Sequence, residues 1–279
     1  MILVAGGTGR LGSILVPSLT AGGIPVRVMA RRGERADAIR AAGAEFVAGD
    51  VRDAAAVRAA ASGATVVVSA VHGMSGVGRG RFRSIDVRGN RNLTEAAQTA
   101  GASVVLVSVV GASADNPMAL FRAKSAAEEQ VRASACPWTI VRATAYAELW
   151  AELVGKGLIF GRGDNAINFV SVLDVAAVVE RAVLDPTLRG QVLDVAGPEN
   201  LSFNQFAGVL REMGRLDRPV RHVPRGLLRA LAHLDPRAAS SLVMDAADLA
   251  VHTVSRPDGV AVTPLRVALA QAVRAMPGG

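Results

Sequence analysis

The chain is short of several residue types, and each shortage closes a class of explanation. Cys136 is the only cysteine, so no disulfide can form within the chain. Aromatic residues make up 4% of the sequence, and Tyr146 is the single tyrosine. That leaves few rings for stacking on bases, so the excess of basic residues is poorly equipped for nucleic acid. Lysine is nearly absent: 29 of the 31 basic residues are arginine, and the exceptions are Lys124 and Lys156. The densest arginine run, Arg211, Arg215, Arg218, Arg221, Arg225 and Arg229, crosses a helix, a proline-containing strand and a second helix, so it need not form one face. No apolar run approaches the ~18 residues of a membrane helix. Met1 to Ala5 carry no basic leader and run straight into a glycine turn, so the expected setting is cytoplasmic. No grouping of residues points to a metal, and a monomer or homodimer acting on a small molecule, away from membranes, is expected.

What is present is an alternation. Short Val- and Ile-rich runs at 2–5, 26–29, 45–47, 65–69, 104–108 and 139–141 predict buried strands. Between them, 10–21, 36–42, 54–61, 90–100 and 119–133 carry Ala, Leu and Glu or Gln at helical spacing. Strand–helix alternation requires crossover connections, hence a parallel sheet with helices on both faces. The fold class is α/β, a Rossmann-type doubly wound sheet. After Arg142 helices dominate, so residues 1–142 are read as the core. Residues 143–279 are read as a small, mainly helical substrate lobe interleaved with the end of the sheet. Ser171 with Asp174, the Ser202–Gln205 capping box and Thr263–Pro264 mark three helix starts there.

The first turn carries the chemistry. Gly6-Gly7-Thr8-Gly9-Arg10-Leu11-Gly12 follows the first strand and opens the first helix. A diphosphate needs backbone amides aimed at it, no side chain in the way and the positive end of a helix. The early glycines supply the turn and the close approach, and Gly12 lets the helix pack on the sheet. Dinucleotide binding follows, through Gly6, Thr8, Gly9, Arg10, Leu11 and Gly12. Arg31 and Arg32 end the second strand where an NAD enzyme has a carboxylate for the ribose. A guanidinium there pairs with a 2′-phosphate, which favours NADP(H); two solvated arginines are the competing reading. Asp50, with Val51, can accept from the adenine amino group or cap the next helix. Ser69, Ala70 and Val71 end the fourth strand with small groups beside the cofactor. His72 follows as a loop histidine with no visible partner.

The signatures GGTGRLG at 6–12, GDVRD at 49–53, DVRGNRNLTEAA at 86–97, VLVSVVGA at 105–112, AKSAAEEQVRAS at 123–134, PWTIVRAT at 137–144, FVSVLDVA at 169–176 and VLDVAGPENLSFNQFA at 192–207 span nearly the whole chain. In these it resembles the atypical short-chain dehydrogenase/reductases of the NmrA-like group, with isoflavone-reductase-like and quinone-reductase-like members. The resemblance implies an NADP(H)-binding Rossmann domain and a small substrate lobe. It also implies a Tyr-x-x-x-Lys pair, of which only the lysine is matched, by Lys124. Leu120 stands at the tyrosine position, and the neighbouring Phe121 has no hydroxyl either. Ser108 lies near the family's serine, and Tyr146 follows the sixth strand where the family's substrate loop runs. Lys124, Tyr146 and Ser108 are therefore the catalytic candidates. Three functions fit: hydride transfer from NADPH to a small apolar, aromatic or quinone-like substrate; an NADP(H)-binding redox sensor acting through a protein partner; or a non-redox isomerase or cyclase.

Overall fold

The computed structural model describes residues 1–31, 35–73, 82–233, 236–252 and 260–275. Among these, the main sheet has seven strands: β1 (Ile2–Ala5), β2 (Val26–Ala30), β3 (Glu45–Ala48), β4 (Val66–Ser69), β5 (Ser103–Val109), β6 (Trp138–Ala143) and β10 (Gln191–Val195). Their order is β10-β6-β5-β4-β1-β2-β3. β1 pairs in parallel with both β2 and β4, so the chain leaves β1 in one direction and returns on its other side. That reversal of strand order opens a crevice at the carboxyl end of β1, where doubly wound sheets bind ligands. All four β1 residues are buried, as a central parallel strand requires.

The helices between these strands are α1 (Gly12–Ala21), α2 (Ala36–Ala41), α3 (Ala54–Ala61), α4 (Asn90–Ala100) and α5 (Ala119–Arg132). The sequence places each within about two residues. It does not announce the π-helical turn Phe82–Gly89, which leads directly into α4. α3 is capped by Asp53, whose carboxylate accepts the N–H groups of Ala55 and Ala56, and not by Asp50.

The chain divides into two compact units. One comprises Met1–Arg142 with Val175–Asp194, and the other Ala143–Asp174 with Val195–Gly279. The first packs Leu3, Met29, Val57, Leu93, Leu106 and Ile140 into one core. Cys136 joins it as a small buried side chain, with burial raising its thiol pKa. The second unit holds β7 (Ala145–Tyr146), α6 (Ala147–Val154), β8 (Leu158–Phe160), β9 (Ile167–Val170), β11 (Asn200–Leu201), α8 (Phe203–Glu212), β12 (Arg221–Val223), α9 (Arg225–Ala232), α10 (Pro236–Met244) and α11 (Leu265–Ala275). Its core is aromatic: Phe169 stacks near Phe206 with ring centroids 4.5 Å apart. The Ser202–Gln205 capping box forms as the sequence predicts.

α7 (Val172–Leu184) begins in this second unit, where its N-terminal caps differ from expectation. Ser171 Oγ does accept the Leu173 N–H, but the Glu148 carboxylate takes the Val172 N–H and the Ser171 hydroxyl. Asp174 stands in the first turn as expected, and its carboxylate also accepts the Thr263 N–H at 2.8 Å. The arginine run spreads over α8, a loop, β12 and α9, so it makes no single stripe on one element.

Within the first unit, Glu128 of α5 is 1% exposed and ties three elements together. It accepts from Ser108 on β5 at 2.6 Å, from Arg142 on β6 through both oxygens, and from Arg132 one helical turn on. Burial raises the Glu128 pKa, but the hydrogen bonds from Arg142 and Ser108 and the charges of Arg142 and Arg132 together bring it below its ordinary value. A depressed carboxylate stabilises the fold above its unfolded pKa and loses that contribution as pH falls. Glu128→Gln is therefore expected to cost on the order of 3 kcal/mol at neutral pH, read by urea denaturation. The gap to wild type should narrow below about pH 4.3, where the unfolded glutamate takes up its proton. A gap independent of pH would remove the ion pairs from the account.

Candidate nucleotide-binding site

The turn after β1 is shaped by the absence of side chains. Gly6 has φ +91°, and a Cβ there would lie 2.5 Å from the Ala70 carbonyl oxygen at the end of β4. The Gly9 N–H donates back to the Gly6 carbonyl at 3.0 Å. A Cβ on Gly12 would stand 2.3 Å from Gly7 Cα and 2.6 Å from the Gly6 oxygen. Gly12 is thus needed against the turn's own backbone, and not, as the sequence suggests, for packing α1 on the sheet. The turn runs directly into α1, whose Ser13, Ile14 and Leu15 N–H groups donate to the carbonyls of Gly9 and Leu11, so the positive end of the helix lies at the turn. Backbone this close, with side chains excluded by contact, is the kind of surface on which a phosphate can lie.

The other expected contacts lie at the same strand ends. Arg31 directly follows β2 and is exposed; Arg32 lies outside the described residues. Arg35 was not singled out from sequence, yet its guanidinium donates to the Thr8 carbonyl at 3.0 Å and brings positive charge to the turn. Its signal was the run Arg31-Arg32-Gly33-Glu34-Arg35, of which only the first two were read. Asp50 accepts from the Arg52 side chain at 2.6 and 3.0 Å. That hydrogen bond, with help from the charge of Arg31, holds its pKa below the usual carboxylate range. An adenine amino group would share Asp50 with Arg52. Val51 is held in place by Asn92, which donates to its carbonyl at 2.8 Å.

At the ends of β4 and β5 a buried polar chain takes over. Ser69 Oγ donates to Asn90 Oδ1 at 2.5 Å, and Asn90 Nδ2 donates to the Asp86 carbonyl at 2.6 Å. Asp86 is fully buried and accepts the Gly73 N–H at 2.7 Å. Lys124 is 4% exposed. Its ammonium donates to the carbonyls of Val71 at 2.8 Å and Val107 at 3.1 Å, and lies 3.2 Å from Asp86 Oδ1. The lysine is therefore a fixed charge at the edge of the sheet, and not a surface residue. Asp86 and Asn90 were missed as functional groups, although both lie in the quoted stretch at 86–97; the π-helical turn that presents Asp86 has no simple periodic signature. Desolvation, and then the charge of Lys124, hold the His72 pKa below its ordinary value against the pull of Asp86.

The remaining candidates fall elsewhere. Ser108 is buried with its hydroxyl committed to Glu128, one turn beyond Lys124 on α5, so it braces the helix. Leu120, in the tyrosine's place, and Phe121 are half-buried apolar groups on the same helix. Tyr146 belongs to the second unit; burial, and then the charge of Glu148, push its phenol pKa upward. Trp138 packs on the first core under Arg132, and Trp150 on Phe203 in the second. Among the described residues no cluster of metal-ligating side chains occurs, and no helix is long and apolar enough to cross a membrane.

Residues 6–186 match the profile of a family described as NAD(P)H-binding. The chain belongs to that family. This NAD(P)H-binding protein has the atypical short-chain reductase character implied by its motifs, and its cofactor is a nicotinamide dinucleotide. It is 29% identical over 229 residues to the NAD(P)H azoreductase of Xenophilus azovorans, covering 80% of this chain and 76% of that one. It is 30% identical over 267 residues to sterol demethylase protein B of Methylococcus capsulatus, covering 84% and 81%. Its fold matches that of the NADPH-dependent quinone oxidoreductase of Escherichia coli solved with NADPH. The TM-score is 0.76 at 22% identity, over 98% of this chain and 100% of that one.

Gly12→Ala is expected to weaken NADPH binding by at least about tenfold, or 1.4 kcal/mol, in a calorimetric titration. Gly208→Ala, where an added Cβ meets nothing within 4 Å, serves as the control and should bind as wild type. Equal affinities for all three proteins would show that the turn does not hold the phosphates.

Proposed function

We propose that this protein is a cytoplasmic NADPH-dependent reductase that delivers hydride to a small apolar acceptor, aromatic or quinone-like. The observation that carries the reading is the buried Lys124 ammonium fixed at the ends of β4 and β5, on a helix with no phenol one turn before it. The bound dinucleotide supplies the hydride. Gly6, Thr8, Gly9, Arg10, Leu11 and Gly12 would hold its pyrophosphate, and Arg31 with Arg35 its 2′-phosphate. Asp50 and Val51 would meet the adenine, and Ser69, Ala70 and Val71 the path to the nicotinamide. Lys124 would place positive charge beside the nicotinamide ribose, oriented by Asp86. The second unit, Ala143–Asp174 with Val195–Gly279, is assigned to the substrate.

An ammonium at this position stabilises developing negative charge without having to give up a proton. Quinones and polarised double bonds need less acid assistance than simple ketones, which suits a site lacking the family's tyrosine. The likeness to an azoreductase and to a quinone oxidoreductase supports acceptors of that kind. Burial, and then the charge of Glu148, make Tyr146 a weaker acid than an ordinary phenol, which disfavours it against water as the proton donor. Ser108 enters this scheme as a positioning residue through Glu128 and α5.

One observation favours a second reading. The Lys124 ammonium already meets two carbonyls and a carboxylate of the protein, an arrangement that also suits an NADP(H) sensor without turnover.

NADPH oxidation followed against quinones, azo dyes and enones decides between them. The reductase reading expects turnover and a fall in kcat of about tenfold or more in Lys124→Met, with the Lys124→Met/Asp86→Asn double variant as the charge-balanced control for folding. Tight NADPH binding with no acceptor turned over would establish the sensor instead. Arg31→Asp should weaken NADPH and spare or improve NADH; an unchanged preference would take Arg31 out of 2′-phosphate recognition.

A further inference from the structure

Helix α9 turns its charge inward and its apolar face to water. A surface helix ordinarily does the reverse. On the inner side Leu228 is 2% exposed, and Arg225 Nε lies 3.5 Å from Asp245 Oδ2 in an ion pair. Asp245 directly follows α10 and is itself fixed, its Oδ1 accepting the N–H groups of Arg162 at 2.7 Å and Gly163 at 3.0 Å. On the outer side Leu227 and Leu231, one turn apart, are 50% and 40% exposed. Gly226 and Ala230 are exposed beside them. At about 3.6 residues per turn these four positions are contiguous around the helix, and no charged residue interrupts them. Single exposed leucines are ordinary on protein surfaces, but a helix that turns an arginine to a buried carboxylate and presents a leucine pair is not.

The charge around that face has one sign. From Arg218 to Met244 the sequence carries five arginines and a single carboxylate, Asp235. Arg218, Arg221 and Arg229 are exposed. Arg221 lies on β12, which leads through Pro224 straight into α9, and Arg229 stands at the border of the outer face. Among the described residues neither Arg221 nor Arg229 has a carboxylate partner, and Arg218 meets only the exposed Asp217 at 3.7 Å. A second copy of this chain is a poor occupant, since a two-fold contact across the leucines would set these arginines against their own images. A peptide needs a groove or a free strand edge, and leucines projecting from a helix offer neither. An anionic bilayer meets both demands, with headgroup phosphates for the guanidinium groups and acyl chains for the leucines.

We propose that α9 docks this protein on anionic phospholipid surfaces. Leu227 and Leu231 enter the boundary between headgroups and acyl chains, and Arg218, Arg221 and Arg229 pair with headgroup phosphates through charge-assisted hydrogen bonds. So small a set of side chains makes a weak, reversible contact, unlike a spanning helix. The expectation of a protein away from membranes came from the lack of a spanning segment, which a surface helix does not need. The proposal does not rest on the reductase reading.

Cosedimentation of the full chain with lipid vesicles tests it, using phosphatidylcholine alone and phosphatidylcholine with about one-third phosphatidylserine. The anionic vesicles should bind at least about tenfold more strongly than the neutral ones, and about 1 M salt, which shortens the screening length to about 3 Å, should weaken the binding. Leu227→Ser/Leu231→Ser and Arg221→Glu/Arg229→Glu should each lower the affinity about tenfold or more. Arg58→Glu/Arg91→Glu removes the same net charge at exposed positions of α3 and α4, and should bind as wild type. Urea denaturation checks that each variant is folded, and the arginine variant stands in if the leucine variant is not. The proposal is overturned by no binding to either vesicle, by equal binding to both, by undiminished binding in a folded α9 variant, or by an equal loss in the α3/α4 control. A vesicle-free dimer that Leu227→Ser/Leu231→Ser dissolves would give the face to a second copy and overturn it as well.

Discussion

A carbonyl oxygen at the end of β4 stands where any side chain on Gly6 would have to go. The close approach brings the ends of β1 and β4 together at the point where strand order reverses. It forces the chain into a positive-φ turn and delivers α1 with its N-terminus facing the crevice. The glycine turn and the start of α1 are both arranged around that contact. Gly12 extends the same logic, since the helix can begin only where its first residue lies flat against Gly6 and Gly7.

Helix α5 works on two levels from residues one turn apart. Lys124 reaches the carbonyls beyond β4 and near the end of β5, and sets a positive charge at the ligand edge. Glu128 binds Ser108, Arg142 and Arg132, and holds the helix to β5 and β6. Removing either partner of a buried pair leaves a charge stranded in low dielectric, so Glu128 and its three partners steady the helix that carries Lys124.

The strands and helices of the first unit were legible because buried parallel strands write themselves as Val and Ile runs, and amphipathic helices as a 3.6-residue rhythm. The glycine turn was legible for a different reason, as steric need leaves few substitutes. Asp86 escaped notice because its role depends on a π-helical turn and on Lys124 arriving from 38 positions further along the chain. Asp50 and Asp53 illustrate the same limit. Both sit before α3, and only three-dimensional reach shows that Asp53 caps the helix while Asp50 pairs with Arg52. Ser108 is a catalytic candidate through its nearness to the family's serine, but its hydroxyl turns to Glu128. The Asp245 contact to the Arg162 and Gly163 amides left no sequence mark, because it joins a glycine loop to a helix end far along the chain.

The near-absence of lysine has a practical corollary. One of the two lysines, Lys124, is sealed beneath the sheet edge, whereas Lys156 is exposed on a loop. Acylating reagents such as activated esters would therefore find a single side-chain amine, besides the chain's α-amino group. A dye or surface linker attached there would leave the ammonium at the nucleotide crevice unmodified, so this protein can be tagged through common amine chemistry at an almost unique address.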